Sequence, residues 1–159
     1  MTETTAPSLT VVRTLNAPPQ EVYKAWTDPA LLSRWMSLPG GGAVSWQADP
    51  RVGGQYRMET KSPDGQVHVT TGVYRELEPG RRLVQTWVYQ GPYAPFMGHE
   101  TLLTVELREL SPNLTELTLR HEHLPSEDYK SSVTGGWNAL LDGLMTFYAE
   151  EPVAPSRME

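Results

Sequence analysis

The 159-residue sequence predicts an α+β fold, an antiparallel sheet of about six to seven strands curled around one long C-terminal helix. Three observations carry that prediction. From about residue 44 to residue 121 the apolar residues recur with period two, as in half-buried strands. Near the end the pattern changes to a helical stripe of Trp137, Leu140, Leu141, Leu144 and Tyr148. Between the first alternating segment and residue 44, prolines open two short helical stretches.

Each element has its own local reason. Leu9, Val11 and Leu15 alternate with Thr10, Val12 and Thr14, which predicts a first strand over residues 8–15. Asn16 is the expected cap of a helix over residues 19–26, with Pro18 and Pro19 in its opening turn and Val22, Ala25 and Trp26 on its apolar face. Asp28-Pro29 starts a second short helix whose apolar face is Leu31, Leu32, Trp35 and Met36. Pro39-Gly40-Gly41-Gly42 ends it in a loop expected to act as a lid near a pocket mouth. Strands follow at Val44–Ala48, around Tyr56 and Met58, over residues 66–77 and 82–89, up to Leu110, and from Leu114 to His121. The turns between them are Asp49–Gly54, Ser62-Pro63-Asp64-Gly65, Glu78-Pro79-Gly80, Gly91–Pro95 and Ser111-Pro112-Asn113. Ser126 has the chemistry of an N-cap, and Gly135-Gly136 is expected to interrupt the helix that follows. A meander of this size needs cover on one face, and the last helix is the element long enough to supply it.

Composition narrows the function classes. With 13 Lys and Arg against 19 Asp and Glu the net charge is −6, which argues against a nucleic-acid footprint or a polybasic membrane patch. No apolar run approaches the roughly 18 residues of a membrane span. The absence of cysteine excludes disulfides, thiolate catalysis and cysteine-based metal sites, and is compatible with a cytoplasmic setting. Residues 8–150 read as a single domain between an N-terminal tail (1–7) and a C-terminal tail (151–159).

Several short motifs occur in order along the chain. They are Ala17-Pro18-Pro19-x-x-Val22-x-x-Ala25-Trp26-Thr27-Asp28-Pro29 with Trp35, then Asp49-x-Arg51-x-Gly53-Gly54-x-Tyr56. Gly72-x-Tyr74, Arg82-Leu83-Val84-x-Thr86-Trp87, Glu100-Thr101-x-x-Thr104-Val105 and Gly136-Trp137 with Leu141 complete the set. Together they resemble the START-like (SRPBCC) superfamily, in the branch named after the activator of heat-shock protein 90 ATPase. The resemblance spans residues 8–149 and implies the helix-grip fold, in agreement with the element order read from the residues. For function it implies a range that includes ligand carriers, cyclases, stress proteins and co-chaperones.

The candidate ligand-binding residues are Trp35, Trp46, Tyr56, Met58, Trp87, His121 and Trp137. A packed core explains leucines such as Leu103, Leu117 and Leu119 fully. It explains the Trp and Tyr side chains less well, because a buried indole N–H or hydroxyl needs a partner that a cavity can supply. His121-Glu122-His123 places two imidazoles at i and i+2, the spacing of metal ligands on a strand. A third ligand from His68, His99 or Glu100 has no predicted placement, so neither a metal nor any other cofactor is expected. His121 is instead expected at a pocket wall, since it continues the Leu117, Leu119 alternation. Glu59, Glu76, Glu106 and Glu116 fall on the solvent side, whereas Glu100 is able to turn inward.

The sequence therefore predicts a cytoplasmic monomer or homodimer that binds a small hydrophobic or aromatic molecule in an internal cavity. One alternative is a polyketide cyclase, dehydratase or hydrolase with His121, Tyr56 or Glu100 as acid–base groups. Another is a stress-response or chaperone-associated interaction protein.

Overall fold

The computed structural model describes residues 6–36, 44–62 and 64–149. The Gly-rich segment at 39–42, and most of both tails, lie outside the described residues; Pro7 lies inside, its carbonyl accepting from Leu124 N–H at 3.1 Å.

The elements are β1 (Leu9–Leu15), α1 (Pro19–Thr27), α2 (Pro29–Trp35), β2 (Val44–Ala48), β3 (Gln55–Lys61), β4 (Val67–Glu78), β5 (Arg82–Gly91), β6 (Glu100–Ser111), β7 (Leu114–Glu122) and α3 (Glu127–Ala149). All seven strands form one antiparallel sheet in the order β1-β7-β6-β5-β4-β3-β2. Strands two to seven are a simple meander, and β1 closes the far edge against β7 with Leu9 opposite His121 and Leu15 opposite Thr115. This is the element order expected from the periodicity and the helix-grip architecture that the family resemblance implies.

One core joins the sheet to the helices. Leu103, Leu117 and Leu119 from the strands, Leu32 and Trp35 from α2, and Trp137, Leu141 and Leu144 from α3 all belong to it. Leu140 is only half-buried, unlike Leu141 and Leu144. The stripe is therefore narrower than predicted, because at about 3.6 residues per turn Leu140 lies about 60° around the helix from Trp137, at the rim of the buried face.

Two predicted details are corrected. Asn16 does not cap α1; the cap position is Pro18, in an extended conformation, and its carbonyl accepts from the N–H groups of Glu21 and Val22. The fixed ring geometry of consecutive prolines starts the helix without a side-chain cap. Gly135-Gly136 does not break α3, which runs through both residues. Their intrinsic cost, of order 1 kcal/mol each, is outweighed by burial of Tyr129 on one side of the pair and Trp137, Leu141 and Leu144 on the other. The other two caps hold as predicted: Asp28 accepts from Ala30 N–H at 2.9 Å, and Ser126 Oγ accepts from Tyr129 N–H at 3.1 Å.

The Asp49–Gly54 turn explains its glycines. Gly53 has φ +87°, and a Cβ on Gly54 would lie 2.0 Å from the Asp49 carbonyl oxygen. Gly53 N–H donates to Tyr74 O, and Tyr74 N–H returns a bond to Gly54 O, so the turn docks on β4 beside its register shift. This docking places Tyr56, which opens the inner face of β3, against Tyr74 with ring centroids 5.5 Å apart.

Candidate functional site

The inner faces of β4 and β5, the segment that follows β5, and the first turns of α3 border a solvent-open cavity of about 660 Å³. Its sheet side is His68, Trp87 and Tyr89, with Gln66 at the entrance to β4. Pro92, Tyr93 and Phe96 come from the segment after β5, where Ala94–Phe96 makes a single 3-10 turn. Asp128, Tyr129, Ser132 and Val133 come from α3. Tyr93 meets Phe96 edge-on at 4.7 Å, and Phe96 rests on Tyr129 at 4.8 Å, so the loop is held to the helix by aromatic contacts.

Polar groups inside this wall are ordered by hydrogen bonds. Tyr93 N–H donates to Tyr89 Oη at 2.8 Å, and the same hydroxyl lies 2.8 Å from His68 Nδ1. Burial raises the Tyr129 hydroxyl above its ordinary value.

Of the seven sequence candidates, Trp87 borders this cavity and the other six do not. They form an aromatic chain through the core beside it. Trp46 stacks on Tyr56 at 5.3 Å, Tyr56 lies 6.3 Å from Trp87, and Trp87 lies 5.2 Å from Trp137. Trp137 continues to Trp26 at 5.9 Å and Trp26 to Trp35 at 5.0 Å. Met58 shares the inner face with Tyr56 and is likewise buried. His68 and Tyr129 carry no sequence signal as wall residues; alternation puts His68 and Tyr89 on strands, but only the folded loop shows what they face.

The proton-bearing candidates are engaged within the protein. Trp137 Nε1–H donates to His121 Nδ1 at 3.1 Å, so Nε2 carries the imidazole proton and donates to Thr101 Oγ1 at 2.7 Å. Thr101 passes its own proton to the Trp87 carbonyl at 2.7 Å. Burial lowers His121 to about 3, which keeps the ring neutral. His121 is therefore in the core rather than at the wall of this cavity. Tyr56 Oη donates to the Thr86 carbonyl, and burial raises its pKa far above the ordinary tyrosine value. Glu100 does not turn inward; its carboxylate is exposed and lies 3.5 Å from Arg75. Nor do the imidazoles of His121 and His123 converge, because the strand ends at Glu122 and His123 takes φ +64°. Among the described residues no three His, Asp or Glu side chains gather as a metal-ligand set.

The tryptophan N–H groups divide. Trp35 Nε1–H donates to Ala25 O at 2.7 Å and Trp137 to His121, whereas the N–H groups of Trp26 and Trp46 have no partner among the described residues. Tyr74 Oη and Gln85 Oε1, both on the inner face, are in the same condition. Burial pushes Tyr74 up to about 12.

A family model described as Activator of Hsp90 ATPase homolog 1-like protein matches residues 16–148. The chain belongs to this family. Protein CV1439 from Chromobacterium violaceum is 30% identical, with a TM-score of 0.75 over 92% of this chain and 99% of that one. CalU16 from Micromonospora echinospora is 29% identical, with a TM-score of 0.68 over 91% of this chain and 77% of that one. An HSP90 activator from Plasmodium falciparum shares the fold at 21% identity and a TM-score of 0.69, over 89% of this chain and 96% of that one. Among curated protein sequences none matches this chain. As a family member the chain carries its motif residues at structural positions: Gly53 and Gly54 in the docking turn, Trp26 and Trp137 in the core. No helix among the described residues is long and apolar enough to cross a membrane.

Proposed function

We propose that the protein binds a small hydrophobic, aromatic molecule in the cavity between β4, β5 and α3. The observation that carries this reading is the cavity of about 660 Å³ walled by Trp87, Tyr89, Tyr93, Phe96 and Tyr129. A volume in the range of about 300–1,000 Å³, largely apolar with a few placed polar groups, is what small-molecule sites have in common. Trp35, Trp46, Tyr56, Met58, His121 and Trp137 serve this reading as the packed layer that holds the wall in place. The reading takes the protein as a cytoplasmic monomer or homodimer without a cofactor; its cysteine-free composition is compatible with that compartment.

The enzymatic alternative has less support, because His121, Tyr56 and Glu100 are each committed to partners away from the cavity. The interaction-protein alternative needs a contiguous apolar surface, whereas the exposed apolar residues Val12, Val52, Val67, Leu110 and Met145 lie on separate elements, and the exposed Tyr93 and Met97 belong to the segment after β5 that borders the cavity.

Trp87 makes the test direct. A planar aromatic compound entering the cavity should quench or shift tryptophan emission saturably. Ser132→Trp, which places an indole in the cavity from α3, should abolish that response while the far-ultraviolet circular dichroism stays native. Emission unchanged by a panel of aromatic compounds at their solubility limits would overturn the reading. The positions Ala48 and Thr71 are unsuitable for such filling. Ala48 shares the face of Trp46 on β2 but does not line this cavity, and Thr71 lies on the outer face, accepting from Gln90 Nε2–H at 2.9 Å.

A further inference from the structure

We infer that His68 is the polar anchor of this cavity, positioned by Tyr89, and that it selects an aromatic molecule bearing a phenolic hydroxyl. The inference rests on the cavity reading above and concerns how the cavity chooses its occupant.

The argument begins with the protons around Tyr89. Its Oη accepts from Tyr93 N–H at 2.8 Å, a donor fixed by the backbone. With that donor in place, the hydroxyl's single proton is assigned to His68 Nδ1, also 2.8 Å away, which makes Nδ1 the acceptor. An imidazole whose Nδ1 accepts carries its N–H on Nε2. That Nε2–H has no partner among the described residues, and the ring stands in the cavity wall. The loop after β5 thus reaches through Tyr89 to orient a donor on β4. An oriented, unspent donor in an aromatic-walled cavity costs free energy unless something accepts from it, so water or a ligand oxygen takes that place.

Charge decides which oxygen. Among the described residues Asp128 is the one carboxylate in the wall, and none of the wall residues is Lys or Arg. A carboxylate or phosphate ligand would face Asp128 without a compensating cation, which disfavours it. A neutral hydroxyl suits both sides of the cavity. It accepts from His68 on the sheet side, while Asp128 and Ser132 on α3 offer acceptors for its proton. The rings of Trp87, Phe96 and Tyr129 supply apolar surface for an aromatic skeleton.

The test uses phenanthrene and 9-phenanthrol, which differ by one hydroxyl, with phenanthrene-9-carboxylate as the anionic arm. Binding is followed through tryptophan emission in the wild type, His68→Phe and Tyr89→Phe, with the thermal midpoint of each variant as a folding control. His68→Phe should lower the affinity ratio of 9-phenanthrol to phenanthrene by roughly three- to tenfold, the worth of one hydrogen bond. Tyr89→Phe should lower the same ratio by a smaller factor, since it leaves the donor present but unoriented. A purely structural role for either residue would weaken both compounds alike and leave the ratio unmoved. An unchanged ratio in both variants, or tighter binding of the carboxylate than of the phenol, overturns the inference and leaves the cavity reading intact. Binding of none of the three compounds to the wild type would overturn both.

Discussion

The indole N–H of Trp137, on α3, donates to Nδ1 of His121, on β7, at 3.1 Å. Through that bond the C-terminal helix sets the tautomer of a histidine buried in the sheet, and Nε2 continues the line to Thr101 and the backbone of Trp87. All three side chains are nearly inaccessible, so the chain of donors and acceptors is closed within the core. It joins the gripped helix to the strand that carries the cavity's tryptophan.

The closed network makes stability depend on pH. Burial lowers His121 from the ordinary 6.5 to about 3 in the folded chain. Between those values the unfolded chain binds a proton that the folded chain does not. Stability from this group is therefore complete above pH 6.5 and is lost as pH falls toward 3, with a slope of up to about 1.4 kcal/mol per pH unit. Urea unfolding at pH 7, 6, 5 and 4 should show a shallower decline for His121→Gln than for the wild type. Equal slopes would mean that His121 is not buried neutral.

Metal should leave the protein unchanged. Both nitrogens of His121 are occupied by Trp137 and Thr101, and His123 has left the strand geometry. Added zinc should not raise the thermal midpoint, since a metal that bound the folded state would stabilise it by mass action. A stoichiometric, chelator-reversible rise that disappears in His121→Ala would refute this.

The grip of α3 has a quantitative signature. Leu144 is fully buried in the common core, so Leu144→Ala should cost on the order of 2–5 kcal/mol. Leu140→Ala, at the half-buried rim, should cost clearly less. Chemical denaturation of the two variants checks the order. A loss under about 0.5 kcal/mol for Leu144→Ala would mean that the helix is not held against the sheet.

Glycines provide a test of opposite signs. Added Cβ atoms at Gly135 and Gly136 meet nothing within 4 Å, so alanine at either should stabilise α3 by about 0.4–1 kcal/mol. At Gly72 a Cβ would lie 2.0 Å from the Thr86 carbonyl oxygen and 2.6 Å from the Tyr56 ring, so Gly72→Ala should destabilise strongly. Thermal melts of the three variants measure both directions, and a neutral Gly72→Ala would show that the close strand approach is absent.

Much of this molecule is determined by the sequence alone. Alternation of apolar residues assigns the strands, because side chains one residue apart point to opposite faces whatever lies beyond them. Asp28-Pro29 and Ser126 start their helices through bonds made within three residues, so no tertiary partner is needed to find them. The motif glycines at 53 and 54 mark a turn whose demands on φ and space are equally local. Tertiary structure decided the rest. Whether α3 passes through Gly135-Gly136 depends on burial gained by Tyr129, Trp137 and Leu141, which local propensity cannot weigh. Whether an inward aromatic lines a cavity or fills a core depends on what approaches from across the sheet. The loop at 92–96 and the first turns of α3 leave space over Trp87 and Tyr89, while Trp35, Trp46 and Trp137 sit within the close-packed core. His68 acquires its orientation from Tyr89, 21 residues away, and from a backbone N–H beyond it. Sequence period sets the face a side chain takes; only the packing of distant segments sets what that side chain meets there.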